Sequence, residues 1–246
     1  MKQKLLIALF TLLPFSASAQ IGEHRSDFSI GVNGGYVLSN VDFSPTVSQG
    51  WHGGVTGGLS VRYVCEKYFN AICSVVGEVN YASIGWKEKI KTARDEAVIG
   101  DRGVAEKFER TVNYVQIPVF AHLAFGKERR GFNVFLNLGP QFGFYLGDNI
   151  KKNYDEANIS GEGGRGNGVT YQETTPIEKK FDYGIAVGLG GEYSHPRLGH
   201  FLLEARYYYG LGNIYGDSKR DYFSKSNYGN IVIKASYLFD IAKTKK

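Results

Sequence analysis

The chain has 246 residues with a formal net charge of +5, 17 Tyr, 16 Phe, 32 Gly, two Cys and one Met. Abundant aromatics and Gly favour pleated strands over helices. A mean hydropathy of −0.24 excludes a helical membrane protein but not a membrane β-barrel, in which only alternate residues face lipid.

The chain opens with Lys2 and Lys4, an apolar stretch from Leu5 to Phe15, and the small residues Ala17-Ser18-Ala19. This is the build of a secretory signal peptide cut between Ala19 and Gln20. Its apolar core is too short to span a membrane as a helix. The leader holds two of the 29 basic residues and none of the 24 acidic ones, so the mature chain carries 27 against 24, or +3. That balance is too mild to call for nucleic acid. No 18-residue apolar run follows residue 20, so the exported chain could enter a membrane only as a closed barrel. The expected organisation is a leader over 1–19 and one barrel domain over 20–246.

Weak period-two alternation marks strands near 27–38, 52–65 and 72–86. Cys65 and Cys73 flank the short turn 66–71 on one parity. In an oxidising compartment they could face each other as a disulfide, a geometrically demanding cross-strand bridge. The charged stretch from Trp86 to Asp101 reads as a short solvated surface helix.

The alternation then sharpens. Val115, Ile117, Val119, Ala121, Leu123 and Phe125 share one face, and Phe132, Val134, Leu136, Leu138, Pro140, Phe142, Phe144 and Leu146 another. Similar rows start at Phe181, Phe201 and Ile231, giving eight strands in all. Runs of 11 to 15 residues exceed soluble strands and suit tilted membrane strands. Connections alternate between short (66–71, 127–130, 195–199) and long (39–51, 87–107, 147–178, 213–226). Short periplasmic turns with long outer loops predict an all-β, eight-stranded, antiparallel up-and-down transmembrane barrel in the outer membrane. Outward aromatics toward both ends suggest two interfacial girdles. The expected surrounding partner is outer-membrane lipid.

An eight-stranded barrel is barely wide enough for its own side chains. The inward parity supplies Arg62, Glu78, Glu192, Glu204, Arg206 and Lys234, three cations and three anions in the periplasmic half. Unpaired buried charges are costly, so a mutually paired network plugging the lumen is expected; a proton or ion path is the functional alternative. Pro118 and Pro140 sit inside long strands, where Pro usually marks an edge or a bulge. If Phe125 faces Phe132, Pro118 faces Gly139, and a wall bulge or a weak lateral opening is expected there.

No enzyme or cofactor site emerges. Gly161-Glu162-Gly163-Gly164-Arg165-Gly166 fits GxGxxG, but no strand leads into it and it reads as a flexible loop. The five His are scattered without metal-ligand spacing, so neither metal nor cofactor is expected. Among them only His52, with Ser44 or Ser48 within reach, could serve a rim hydrolase.

Several stretches resemble a known family. They are Tyr114-Val115-Gln116-Ile117-Pro118, Gly139-Pro140, Phe181-Asp182-Tyr183-Gly184, the run from Arg206 to Asn213, and the closing Tyr237-Leu238-Phe239. These resemble the PorT-family outer-membrane β-barrel proteins of Bacteroidota over nearly the whole mature chain, best from residue 110 onward. The resemblance implies an outer-membrane barrel and, through the family's namesake, a supporting part in type IX secretion. The matched residues belong to wall and turns and carry no site. The expectation is a non-enzymatic structural or interaction component of a secretion or envelope complex, docking through the turn Lys127 to Arg130 or the loop 147–178. Transport of small solutes or a lipophilic ligand is the alternative.

Overall fold

A computed structural model describes residues 22–92, 94–100, 103–127, 130–154, 171–216 and 221–244. Eight long strands follow one another: β1 (Glu23–Ser44), β2 (His52–Tyr68), β3 (Ala71–Lys89), β4 (Lys107–Gly126), β5 (Gly131–Lys152), β6 (Phe181–His195), β7 (Gly199–Gly210) and β8 (Lys225–Ala242). Each pairs antiparallel with its sequence neighbours, and β1 pairs with β8 from Phe28–Ala242 to Ser44–Lys225. The sheet therefore closes on itself as an up-and-down ring without a free edge. The leader, its cut between Ala19 and Gln20, and the glycine run 161–166 lie outside the described residues.

The exterior is an apolar band. Val32, Val55, Leu59, Leu138, Leu189, Leu203 and Ile233 are each at least 49% exposed. A continuous apolar surface of this kind requires lipid rather than water around it. Aromatics frame the band. Phe132, Tyr193, Phe201 and Tyr237 lie toward the short turns, and Tyr36, Tyr81, Phe181, Tyr207 and Tyr209 toward the other end. Tyr237 also donates its hydroxyl to the Leu198 carbonyl at 2.6 Å, where an amphipathic ring meets the wet interface. No helix among the described residues is long and apolar enough to cross a membrane.

The strands differ from expectation at their outer ends. They run well into the predicted long loops, to Ser44, Lys89 and Lys152. The expected helix over 86–101 is instead the end of β3 followed by isolated bridges Lys91–Ala97 and Ile99–Ala105. The sequence had the cause in plain view. Trp86, Glu88 and Ile90 alternate with Lys87, Lys89 and Lys91, and the first set is buried, a period of two rather than 3.6.

Two local expectations are corrected. Glu66 faces Cys73 and Val64 faces Ser74, so Cys65 is the extra residue of a bulge and both thiols are free. The register thus moves Cys65 off the rung it would need. In the β4–β5 wall Phe125 faces Val134, two residues beyond the expected Phe132, and Pro118 faces Gln141 rather than Gly139. The register is the same on both sides of the gap at residues 119–120 and 139–140, so Pro118 and Pro140 interrupt the ladder without a bulge. A Cβ on Gly139 would fall 2.0 Å from the Val119 carbonyl oxygen, so the strands stay in contact and no lateral opening exists there. The bulge lies higher, where Asn113 faces Gly147 and Tyr114 faces Tyr145, leaving Leu146 as the extra residue.

Candidate functional site: the filled lumen and its outer cap

Inward positions carry buried side chains, polar ones such as Asn33, Gln116 and Asn137 together with apolar Val76, Phe120 and Phe135, so the ring encloses side chains rather than a channel. In a ring of eight, β2 lies opposite β6 and β3 opposite β7. Two ion pairs cross the lumen on these diameters. Arg62 on β2 donates from Nη1 to Glu192 Oε1 on β6 at 2.9 Å. Arg206 on β7 reaches Glu78 on β3 with Nη1 and Nη2, both at 3.0 Å. A bidentate guanidinium–carboxylate pair adds directional specificity to charge.

Neighbours complete the second crossbar. Arg206 also donates from Nε and Nη2 to Glu204 at 3.0 and 2.9 Å. Lys234 on β8 donates to Glu78 and stands 3.6 Å from Glu204 Oε2. Asn80 and Asn137 donate to Glu78 and Glu204 at 2.8 and 3.0 Å, and the Arg206 guanidinium lies 4.3 Å from the Phe120 ring centroid. All six charged residues picked from the alternation are no more than 5% exposed. The structure gathers Glu204, Arg206 and Lys234 around Glu78 and joins the other two as the lower pair.

The lower pair extends through residues that sequence reasoning passed over. His200 Nδ1 lies 2.7 Å from Glu192 Oε1, and its Nε2 lies 3.0 Å from Asp240 Oδ1. Ser194 donates to Glu192 at 3.0 Å. His122 Nδ1 meets Asn137 Oδ1 at 2.7 Å. The signal was present, because His122 and Asp240 fall on the inward parity of their strands.

Above the apolar band the strand extensions carry a separate cap. Arg110 on β4 is its centre. Its Nε binds Asp148 at 2.8 Å, and Nη1 donates to the carbonyls of Gln172 and Thr175 at 3.2 and 2.6 Å and to Tyr215 Oη at 3.1 Å. These bonds pin a single helical turn, Tyr171–Thr174, and the segment around Ile214 over the mouth. Glu178 and Lys179 donate their amides to the Ile214 carbonyl at 3.2 and 3.0 Å. Phe43, Trp86, Tyr215 and Phe223 pack beneath, with Phe43–Trp86 edge to face at 5.5 Å and Phe43–Phe223 at 4.7 Å. Such ring pairs contribute about 1 kcal/mol each beyond their buried area.

Glu88 is buried inside the cap, accepting from Trp86 Nε1 at 3.2 Å and Gln172 Nε2 at 3.1 Å. Burial first, and then the neighbouring Glu173 carboxylate, push its carboxyl up to about 8, against a smaller downward pull from those two donors. His52, the residue suggested for a rim hydrolase, is also buried; its Nδ1 lies 2.9 Å from Glu109 Oε1. Ser44, a suggested partner, instead lies in the β1–β8 ladder opposite Lys225. No group of three or more His, Cys, Asp or Glu side chains placed to hold a metal occurs among the described residues.

A closed antiparallel ring with lipid-compatible outside and ion-paired inside is a membrane β-barrel. Residues 18–216 match the outer membrane protein beta-barrel domain family, and the chain belongs to that family; it resides in the outer membrane. No curated protein matches the sequence. The fold resembles Ail, the attachment invasion locus protein of Yersinia pestis, in complex with the heparin analogue sucrose octasulfate, at 17% identity and TM-score 0.38, covering 86% of this chain and 99% of that one. Neisserial surface protein A is similar at 13% identity and TM-score 0.41, covering 88% and 100%. OprG from Pseudomonas aeruginosa is similar at 12% identity and TM-score 0.38, covering 89% and 98%.

Proposed function

We propose that the protein is a non-conducting, non-enzymatic outer-membrane barrel that serves as an interaction component of the envelope. The observation that carries this reading is the pair of crossbars, Arg62–Glu192 and Arg206–Glu78, each joining opposite walls of a ring that is also capped at one end. A permeating solute would have to break buried ion pairs, at several kcal/mol each. What remains available for contact is the outside of the cap and the short turns.

The experiment is reconstitution of the full chain into planar bilayers. No steady conductance is expected in molar salt, and Glu78→Ala combined with Arg62→Ala should introduce brief openings. A stable conductance of the unaltered protein would overturn the reading and favour small-solute transport.

The narrower form of the proposal follows from the PorT resemblance. The barrel, exported on its 1–19 leader, supports a type IX-like secretion or envelope complex through Lys127 to Arg130 or the 147–178 connection. Deleting the gene is then expected to trap signal-bearing cargo in the periplasm, with release restored by complementation. Unchanged cargo in the culture fluid would remove the secretion role while leaving the non-conducting barrel intact.

A further inference from the structure

The outer wall is uneven where β7, β8 and β1 meet. β7 stops at Gly210, and its last rung with β8 is Tyr209–Gly229. β8 and β1 continue together for four more rungs, to Lys225–Ser44. On the lipid-facing side this leaves a recess of about 340 Å³ whose lining includes Asn40, Asp42, Tyr207, Tyr209, Asn227 and Gly229, closed on its outer side by Thr46, Val47 and Gln49 of the connection after β1. Gly229 forms the floor. A Cβ built there would lie 2.9 Å from Asn40 Oδ1 and 3.6 Å from Tyr207 Oη, so the absent side chain is what opens the space.

The chemistry of the lining is specific. Tyr207 and Tyr209 are 49% and 42% exposed. Asn227 is 7% exposed although it stands on the outward parity; its Nδ2 donates to the Gly210 carbonyl at 2.9 Å, and its Oδ1 has no partner among the described residues. The one carboxylate, Asp42, is neutralised by Lys225, whose ammonium sits 5.8 Å from the Tyr209 ring centroid. The recess thus offers tyrosine rings, the Asn40 amide and, among the described residues, no uncompensated charge. Among the described residues a phosphate would find no free cation there, and an acyl chain would leave the half-buried Asn40 amide facing hydrocarbon. A pyranose ring fits both demands, with its C–H face on tyrosine and its hydroxyls on the Asn40 amide and the tyrosine hydroxyls.

The level in the membrane identifies the source. Ile231 and Ile233 continue the apolar band directly below, while Asn40, Asp42 and Asn227 stand above it. Tyrosines at this boundary lie among lipid headgroups. We propose that this recess binds a neutral sugar unit in the headgroup of an outer-leaflet glycolipid. The inference rests on the outer-membrane barrel and not on the docking role proposed above.

The test uses the full chain folded in neutral detergent, with each variant first confirmed as folded by its heat-dependent gel shift. Probes are glycolipid extracted from outer membranes, the same glycolipid dephosphorylated, its deacylated oligosaccharide, and phosphatidylethanolamine. Native mass spectrometry should show retention of both glycolipid forms, unchanged between 0.1 and 0.5 M ammonium acetate (roughly a twofold change in Debye length). Gly229→Leu, which fills the floor, and Tyr209→Leu, which removes a ring while staying apolar, should each reduce retention at least about tenfold, or 1.4 kcal/mol. Saturation-transfer NMR should detect the deacylated oligosaccharide on the unaltered protein and not on Gly229→Leu, which assigns recognition to the sugar, free or lipid-borne. Retention that falls on dephosphorylation or with salt, retention equal in both variants, or glycolipid binding without any oligosaccharide signal would each overturn the proposal.

Discussion

Glu78→Ala is expected to destabilise the barrel by about 3–5 kcal/mol, because it leaves Arg206 and Lys234 buried with only Glu204 to share. Glu78 accepts two bonds from Arg206, one from Lys234 and one from Asn80. Bulk solvent is kept from a carboxylate whose side chain is 3% exposed. Unfolding in urea, followed by loss of the compact gel band in vesicles, measures the effect. The companion is a quadruple replacement, Glu78→Leu and Glu204→Leu with Arg206→Met and Lys234→Met, which removes both cations together with both acceptors. It should recover a large part of the loss, since apolar substitutes of similar size often match a buried ion pair. A Glu78→Ala midpoint indistinguishable from that of the unaltered protein would show that the crossbar contributes nothing to stability.

The second large effect is an alkaline loosening of the cap. The closed cap holds a proton on Glu88 up to about pH 8, whereas a released segment would give that proton up near its ordinary 4.5. The folded pKa is raised, so the stabilisation is complete below about 4.5 and is lost as pH rises through 8. Integrated over that interval the linkage amounts to roughly 5 kcal/mol. Amide hydrogen exchange over Tyr171–Ile177 measures it after correction for the intrinsic pH dependence of exchange. Protection should fall at least about tenfold between pH 6 and pH 9. Glu88→Gln keeps the shape and both hydrogen bonds' acceptor or donor capacity while removing the titration, so its protection should be flat. An equal fall in Glu88→Gln would assign the loosening to another group.

The wall was legible in the sequence because a barrel writes itself in a period of two. Where Leu138 and Leu203 face lipid, the opposite parity carries the lumen charges, and the same alternation assigns Arg62, Glu78, Glu192, Glu204, Arg206 and Lys234 to the interior. Register was less legible. The misplacement of Phe125 against Phe132 came from assuming the tightest turn, while Gly126 and Gly131 adopt positive φ values of 145° and 125° and widen it. Cys65 was misjudged for a related reason, since a bulge changes which residues are opposite without disturbing the composition. The cap was hidden most. Arg110, Glu88 and Gln172 come together from three separate parts of the chain, and alternation along each strand carries no information about which loops fold over the mouth. The extensions themselves were readable, because Trp86, Glu88 and Ile90 keep the inward parity past the lipid band.

The partners in each crossbar are far apart in sequence, 130 residues for Arg62–Glu192 and 128 for Arg206–Glu78. Neither can form from a single hairpin or from any run of three or four adjacent strands. Each requires the first half of the chain to stand opposite the second. The crossbars therefore act as a proofreading device for assembly. A sheet that closes one residue out of step turns its charges outward to meet hydrocarbon, and a sheet that has not closed leaves Arg62, Glu192 and Glu78 without their partners across the lumen. Only the completed ring in the right register satisfies all six at once, so the side chains that block the lumen also certify that the barrel has been built.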